Sequence, residues 1–101
     1  MELNTLIERI GYIRNRANLS ARKLSLEIGK NAGYIHMLET TKNFAPTFDT
    51  LIAIIEACRS SVEEFFYYDI SAYAKDYQII ELLKNTTDNE KKSAIISLLK
   101  R

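Results

Sequence analysis

The chain has 101 residues, which is long enough for one folded domain without disulfide or metal support. Hydrophobic residues make up 47% and charged residues 27% of it, which excludes a disordered chain, and three glycines with one proline are too few for an all-β fold. The net charge is +1, but residues 1–45 hold seven Lys or Arg against four Asp or Glu, whereas residues 46–101 hold seven against nine. The amino-terminal half is therefore the mildly cationic one, a distribution that bears on nucleic-acid binding.

Helical spacing begins close to the start of the chain and predicts a first helix over residues 5–17, with Thr5 and Glu8 as its capping box. Its apolar stripe is Leu3, Leu6, Ile7, Ile10 and Ile13.

Two short helices are predicted next. Ser20 is the expected N-cap of the second helix, and Gly29 is its expected stop, because glycine takes the left-handed conformation without a steric penalty. Asn31 is the candidate N-cap of a third helix over residues 32–39.

A loop over residues 40–45 separates these helices from a fourth one, which Pro46 precedes and Thr47 caps. A fifth helix over residues 62–67 begins with two overlapping capping boxes, Ser60 with Glu63 and Ser61 with Glu64.

Two further helices are expected over residues 73–84 and 88–100, the last one capped by Thr87. Their apolar stripe either completes the core of the monomer or packs against a second helix pair. The predicted domains are residues 1–69 and a helical extension of residues 70–101.

Several classes of function find no support in the sequence. Cys58 is the only cysteine, so no disulfide within the chain and no cysteine-based metal site can form, and its apolar surroundings predict a buried, inert thiol. His36 is the only histidine and is expected to be solvated rather than a metal ligand. There is no readable signal peptide or long apolar run, which predicts a cytoplasmic protein, and no phosphate loop or nucleophile–base pair that would indicate an enzyme. No cofactor or small-molecule ligand is expected.

The most informative segment is residues 20–39, a short helix, a tight turn at Gly29 and a second short helix. In such a unit the first helix crosses the DNA backbone while the second enters the major groove. Residues 5–67 resemble the helix-turn-helix domain of the phage-repressor family, the Cro/repressor and XRE-type regulators. The matching residues are Ile13-Arg14, Leu19-Ser20, Leu24-Ser25, Gly29, Ile35, Leu38-Glu39, Pro46, Leu51 and the run from Ser60 to Phe66.

The resemblance implies an ion pair between Arg14 and Glu39 that ties the first helix to the end of the third. It also implies that Ala32, Gly33 and Met37 read bases, with Asn31, Tyr34 and His36 close by. Ala32 and Met37 depart from the hydrogen-bonding residues of many relatives, and they offer only apolar contact, for instance with a thymine methyl group.

Phosphate contacts are implied at the helix starts, where Ser20, Ala21 and Thr47 match the backbone-gripping positions of the family. Further candidates are Arg22, Lys30, Lys42 and Asn43, whose alternative role is that of ordinary solvated side chains. Family members commonly act as dimers on two-fold related half-sites, so a homodimer through the carboxy-terminal helices is expected.

The sequence thus predicts an all-α protein, a five-helix repressor-like domain followed by two carboxy-terminal helices. Its predicted function is sequence-specific regulation of transcription, of the repressor kind, on double-stranded DNA. The alternative is a protein-interaction module that keeps the helix-turn-helix fold without specific DNA binding, a reading that the apolar reading positions and the mild charge favour.

Overall fold

The structure is a computed structural model that describes residues 1–85 and 89–100. This part of the chain contains no strand, and the predicted all-α class is confirmed. None of its helices has both the length and the apolar content that a membrane span needs. The α-helices are α1 (Leu3–Arg16), α2 (Ala21–Glu27), α3 (Tyr34–Thr40), α4 (Phe48–Ala57), α5 (Val62–Phe65), α6 (Tyr73–Asn85) and α7 (Asn89–Leu99), and a 3-10 turn, Ile70–Ala72, precedes α6.

The chain divides into two compact units, residues 1–70 with α1 to α5 and residues 71–101 with α6 and α7. The first unit has a closed hydrophobic core to which each of its five helices contributes. Full burial of one such aliphatic or aromatic side chain stabilises the fold by about 1.5–3 kcal/mol. The core residues are Ile10, Ile13, Leu24, Ile35, Leu38, Leu51, Ile54, Ile55, Cys58 and Phe65.

Cys58 lies in this core, as its apolar surroundings predict. Burial raises the pKa of its thiol to about 11, so the group stays protonated at neutral pH.

The helix starts were predicted well where a single side chain caps them. Ser20, Thr47 and Ser61 each accept a hydrogen bond from the backbone N–H three residues on, at 3.0, 3.2 and 3.1 Å. These three caps are confirmed. The predicted capping box at Thr5 is wrong, because α1 begins at Leu3 and the N–H of Leu6 already donates to the carbonyl of Glu2 at 3.0 Å.

The stop at Gly29 is also confirmed. Its φ is +76°, and the following N–H of Lys30 donates to the carbonyl of Ser25 at 2.9 Å, closing the end of α2. The same geometry ends α1 at Asn18, with φ 57°, and α4 at Arg59, with φ 59°. Residues with a Cβ thus hold the left-handed position at two of these three helix ends.

The second unit consists of the two predicted helices with their ends shifted by a residue or so. No residue of α6 is buried. The predicted cap Thr87 lies outside the described residues.

Candidate nucleic-acid interface

α2 and α3 pack against each other through a buried hydroxyl as well as through core side chains. The Ser25 Oγ donates to the carbonyl of Ala21 at 2.7 Å and accepts from the backbone N–H of Ile35 at 2.9 Å. Ser25 is fully buried, so the bond fixes the first turn of α3 against the middle of α2. A small hydroxyl residue in α2 therefore sets where α3 lies.

The start of α3 differs from the prediction. The α-helix begins only at Tyr34, with Gly33 at its N-cap position, so Asn31 does not cap a helix at residue 32. Its Oδ1 accepts the N–H of Gly33 at 3.1 Å and its carbonyl accepts the N–H of Tyr34 at 3.1 Å. These bonds close a turn, which places Ala32 and Gly33 before the helix and makes Tyr34 its first residue. The helix predicted over residues 32–39 is thus Tyr34–Thr40.

The carboxyl end of α3 is held by the ion pair that the family resemblance implies. Arg14 donates from Nε and Nη2 to the two carboxylate oxygens of Glu39, at 2.7 and 3.0 Å. Its Nη1 donates to the carbonyl of Leu19 at 3.0 Å. With only 16% and 23% of the two side chains exposed, the pair is largely shielded from water and joins α1, the turn before α2 and α3.

The face of α3 opposite the core is open to solvent. Ile35 and Leu38 point into the core, whereas His36, Met37 and Thr40 are exposed. Tyr34 lies between the two faces, partly buried, with its ring edge-on to Phe44 at 5.9 Å between centroids. α3 contains no lysine or arginine, so any cationic contribution comes from the segments around it.

The predicted phosphate-binding residues lie around α3 rather than on it. Ser20 and Thr47 cap α2 and α4, and Ala21 is the first residue of α2, half-buried. Lys42 and Asn43 are exposed in the loop after α3, and Arg22 is exposed on α2. The Lys30 ammonium sits 5.3 Å from the centroid of the Tyr34 ring, next to the exposed turn of Asn31 and Gly33.

The structure also assigns internal roles to two arginines that the sequence left unassigned. Arg9 donates to the carbonyl of Phe65, the last residue of α5, and to those of Tyr67 and Tyr68 just after it. Arg16 makes a bidentate pair with Glu64, at 2.8 and 2.6 Å. The overlapping capping boxes marked Glu64, but no local pattern marks a partner 48 residues away.

The ion pair between Arg16 and Glu64 shifts the pKa of both side chains. The hydrogen bond from Arg16 lowers the pKa of the Glu64 carboxyl, and the bond to Glu64 raises the pKa of Arg16. The Ser60 hydroxyl adds a bond to the same carboxylate at 2.6 Å.

The internal roles of Arg9, Arg14 and Arg16 reduce the number of cations that residues 1–45 can offer to a partner. Three of the seven basic residues in this range stabilise the fold. The four that remain are Arg22, Lys23, Lys30 and Lys42, and within the described residues no ion pair involves them.

No three potential metal ligands come together among the described residues. No model of a protein family, no curated protein and no solved structure matches the chain.

Proposed function

We propose that the protein is a sequence-specific DNA-binding regulator of transcription, of the repressor kind. In this proposal α2 and α3 form the helix-turn-helix unit. Residues 32–40, the end of the turn and α3, enter the major groove, which is wide enough for one helix.

The observation that carries the proposal is the way in which α3 is held. Its inner face is clamped by the Ser25 hydroxyl at one end and by the Arg14–Glu39 pair at the other. Its outer face, with His36 and Met37, makes no comparable contact. A short helix fixed on one side and open on the other suits insertion into a groove, because a reading helix needs a defined orientation.

The residues around α3 supply the grip on the DNA backbone. Arg22, Lys30 and Lys42 are exposed cations left over after the structural arginines are accounted for. Ser20, Asn43 and Thr47 add polar groups at the helix starts and in the loop, in line with the phosphate contacts common to DNA-binding proteins. If each protomer contacts roughly four to six phosphates, the logarithm of the binding constant should fall with the logarithm of the salt concentration with a slope of roughly −4 to −5 per protomer.

We further propose that residues 71–101 join two copies into a homodimer. Tyr73, Tyr77 and Ile80 form one apolar stripe of α6, and Ile79 and Leu82 form a second. One neighbouring helix can cover only one of the two stripes. Within the unit neither stripe is covered completely, since no residue of α6 is buried. A second copy of the same helix pair supplies the missing cover, and it places two reading helices on half-sites one helical turn apart.

A protein-interaction module on the same fold is the second candidate. It is favoured by large apolar side chains that are exposed on the first unit, Leu26 on α2 at 53% and Phe48 on α4 at 71%. Such side chains suit a protein partner better than a phosphate backbone.

The deciding experiment is a fluorescence titration of the full chain against genomic DNA fragments, including the region upstream of its own gene, at two salt concentrations. Tight, salt-sensitive binding to a few fragments that share an inverted repeat is the expected result. Weak binding that is equal for all fragments at both salts contradicts the regulator and favours the interaction module.

A further inference from the structure

The outer face of α3 carries no amide or guanidinium group, the side chains that read purines through paired hydrogen bonds. It consists of His36, Met37 and Thr40, which we term the reading face. The Thr40 hydroxyl donates its hydrogen to the carbonyl of His36 at 2.7 Å. Met37 is 49% exposed, and its thioether is at most a weak acceptor.

The polar residues next to the reading face are engaged inside the protein. An asparagine reads adenine by accepting from N6 and donating to N7 together, but the Oδ1 of Asn31 already accepts the N–H of Gly33. The Tyr34 ring is partly buried and packs edge-on against Phe44. The reading face therefore lacks the amide and guanidinium groups that recognise purines in pairs of bonds.

What the reading face does offer is the flexible, exposed apolar side chain of Met37. The only apolar group that a natural base pair presents in the major groove is the C5 methyl of thymine. Resting on the proposed function, we propose that Met37 reads this methyl group, so that the operator carries thymine opposite Met37. 5-Methylcytosine presents the same methyl group in the same place, and it would be recognised by the same contact.

The expected effect is modest and measurable. Removing one buried carbon group of this size weakens binding by about fourfold. Deoxyuridine differs from thymidine by that methyl alone and keeps the Watson–Crick pair, so a change of thymine to uracil isolates the contact.

The test uses the 101-residue chain and the tightest-binding duplex enriched from a random-sequence library. Each thymine of that duplex is replaced by uracil in turn, and Kd is measured by fluorescence anisotropy. We expect at least one thymine per half-site whose replacement weakens binding about fourfold, and we expect Met37→Gln to abolish that difference. Leu26→Gln is the matched control, since Leu26 is exposed to a similar extent, at 53%, on the neighbouring helix, and it should keep the difference.

A second arm compares cytosine with 5-methylcytosine at the sensitive position. A gain on methylation that disappears in Met37→Gln supports Met37 as the reader of the methyl group. The absence of any gain contradicts the inference, because the methyl group is then not what Met37 recognises.

Two results overturn the inference alone. The first is a duplex that binds tightly and with salt dependence but is indifferent to uracil at every position, and the second is a thymine–uracil difference that persists in Met37→Gln. Failure of the library to enrich any duplex is a different result, because it overturns the proposed function together with the inference. Circular dichroism of each variant verifies that the exposed substitution leaves the helices intact.

Discussion

The two units of the chain use similar apolar residues to opposite effect. The first unit buries ten hydrophobic side chains and locks its helices with Arg9, Arg14 and Arg16. The second buries none of α6 and leaves large aliphatic side chains in water, namely Ile79, Ile80, Leu82, Ile96 and Leu98. Apolar content therefore does not decide whether a segment completes its own core. A pair of helices is too small to enclose a core of its own, and the proposed homodimer would bury these side chains.

The strongest way to break this comparison is to place a charge on α6. Leu82→Lys should convert the proposed homodimer to a monomer, because a two-fold interface loses the buried leucine twice, about 5 kcal/mol in all. The measurement is the molar mass of the full chain by light scattering after size exclusion, over a range of concentrations.

Phe48→Lys is the matched control, since Phe48 and Leu82 are both 71% exposed and lie in different units. It should leave the molar mass unchanged. If Leu82→Lys remains dimeric while Phe48→Lys dissociates, the interface belongs to the first unit. If the unmodified chain is a monomer at all concentrations, the dimer proposal is wrong.

Truncating a core side chain of the first unit should cost far more stability than truncating an exposed apolar side chain of the second. Phe65 is fully buried, so Phe65→Ala should lower the free energy of unfolding by about 4 kcal/mol through lost burial and the cavity left behind. The measurement is urea unfolding followed by circular dichroism.

Ile80→Ala makes the contrasting substitution in the second unit, where the side chain is exposed. At a protein concentration low enough to keep the chain monomeric, its cost should stay within about 0.5 kcal/mol. A cost comparable to that of Phe65→Ala would show that α6 has a closed core after all.

The sequence predicted the helices because the signals that start and stop them are local. Ser20, Thr47 and Ser61 are three residues from the N–H groups that they cap, and Gly29 ends α2 by its own backbone freedom. The start of α3 was misplaced because Asn31 has two local options, a helix cap and a turn, and sequence spacing alone does not separate them.

The candidate interface was harder to predict than the helices. Its composition could be predicted from the resemblance, but its electrostatics could not, because the partners of Arg9 and Arg16 are more than 45 residues away in the chain. A count of charges treats these arginines as available to DNA. Only the fold shows that they are used internally and that Arg22, Lys23, Lys30 and Lys42 remain.

Acid should weaken the first unit by breaking its Arg16–Glu64 ion pair. The pKa of Glu64 lies below its ordinary value of 4.5, so the stabilisation is present above that pH and is lost as the pH falls through the lowered pKa. Glu64→Gln should cost about 2 kcal/mol at neutral pH, the worth of hydrogen bonds to a charged group. Urea unfolding at neutral pH and at a pH well below 4.5 provides the measurement, and the cost should shrink in acid.

Glu56→Gln is the control for that experiment, because Glu56 is an exposed glutamate of the same unit and takes part in none of its ion pairs among the described residues. It should change stability by less than about 0.5 kcal/mol at either pH. A cost for Glu64→Gln that does not depend on pH would show that the pair contributes packing rather than charge.

The smallest expected effect comes from a substitution that should raise the stability of the first unit alone. Arg59 closes α4 with φ 59°, the conformation that Gly29 adopts freely at the end of α2. A residue with a Cβ is strained there, so Arg59→Gly should stabilise the first unit by about 1 kcal/mol, whereas Gly29→Ala at the equivalent end should destabilise it by a similar amount. Because the change is confined to one helix end, it should raise the urea midpoint of unfolding while leaving the molar mass of the proposed dimer unaltered. A lower midpoint for Arg59→Gly would mean that the Arg59 side chain contributes more to the fold than its backbone strain costs.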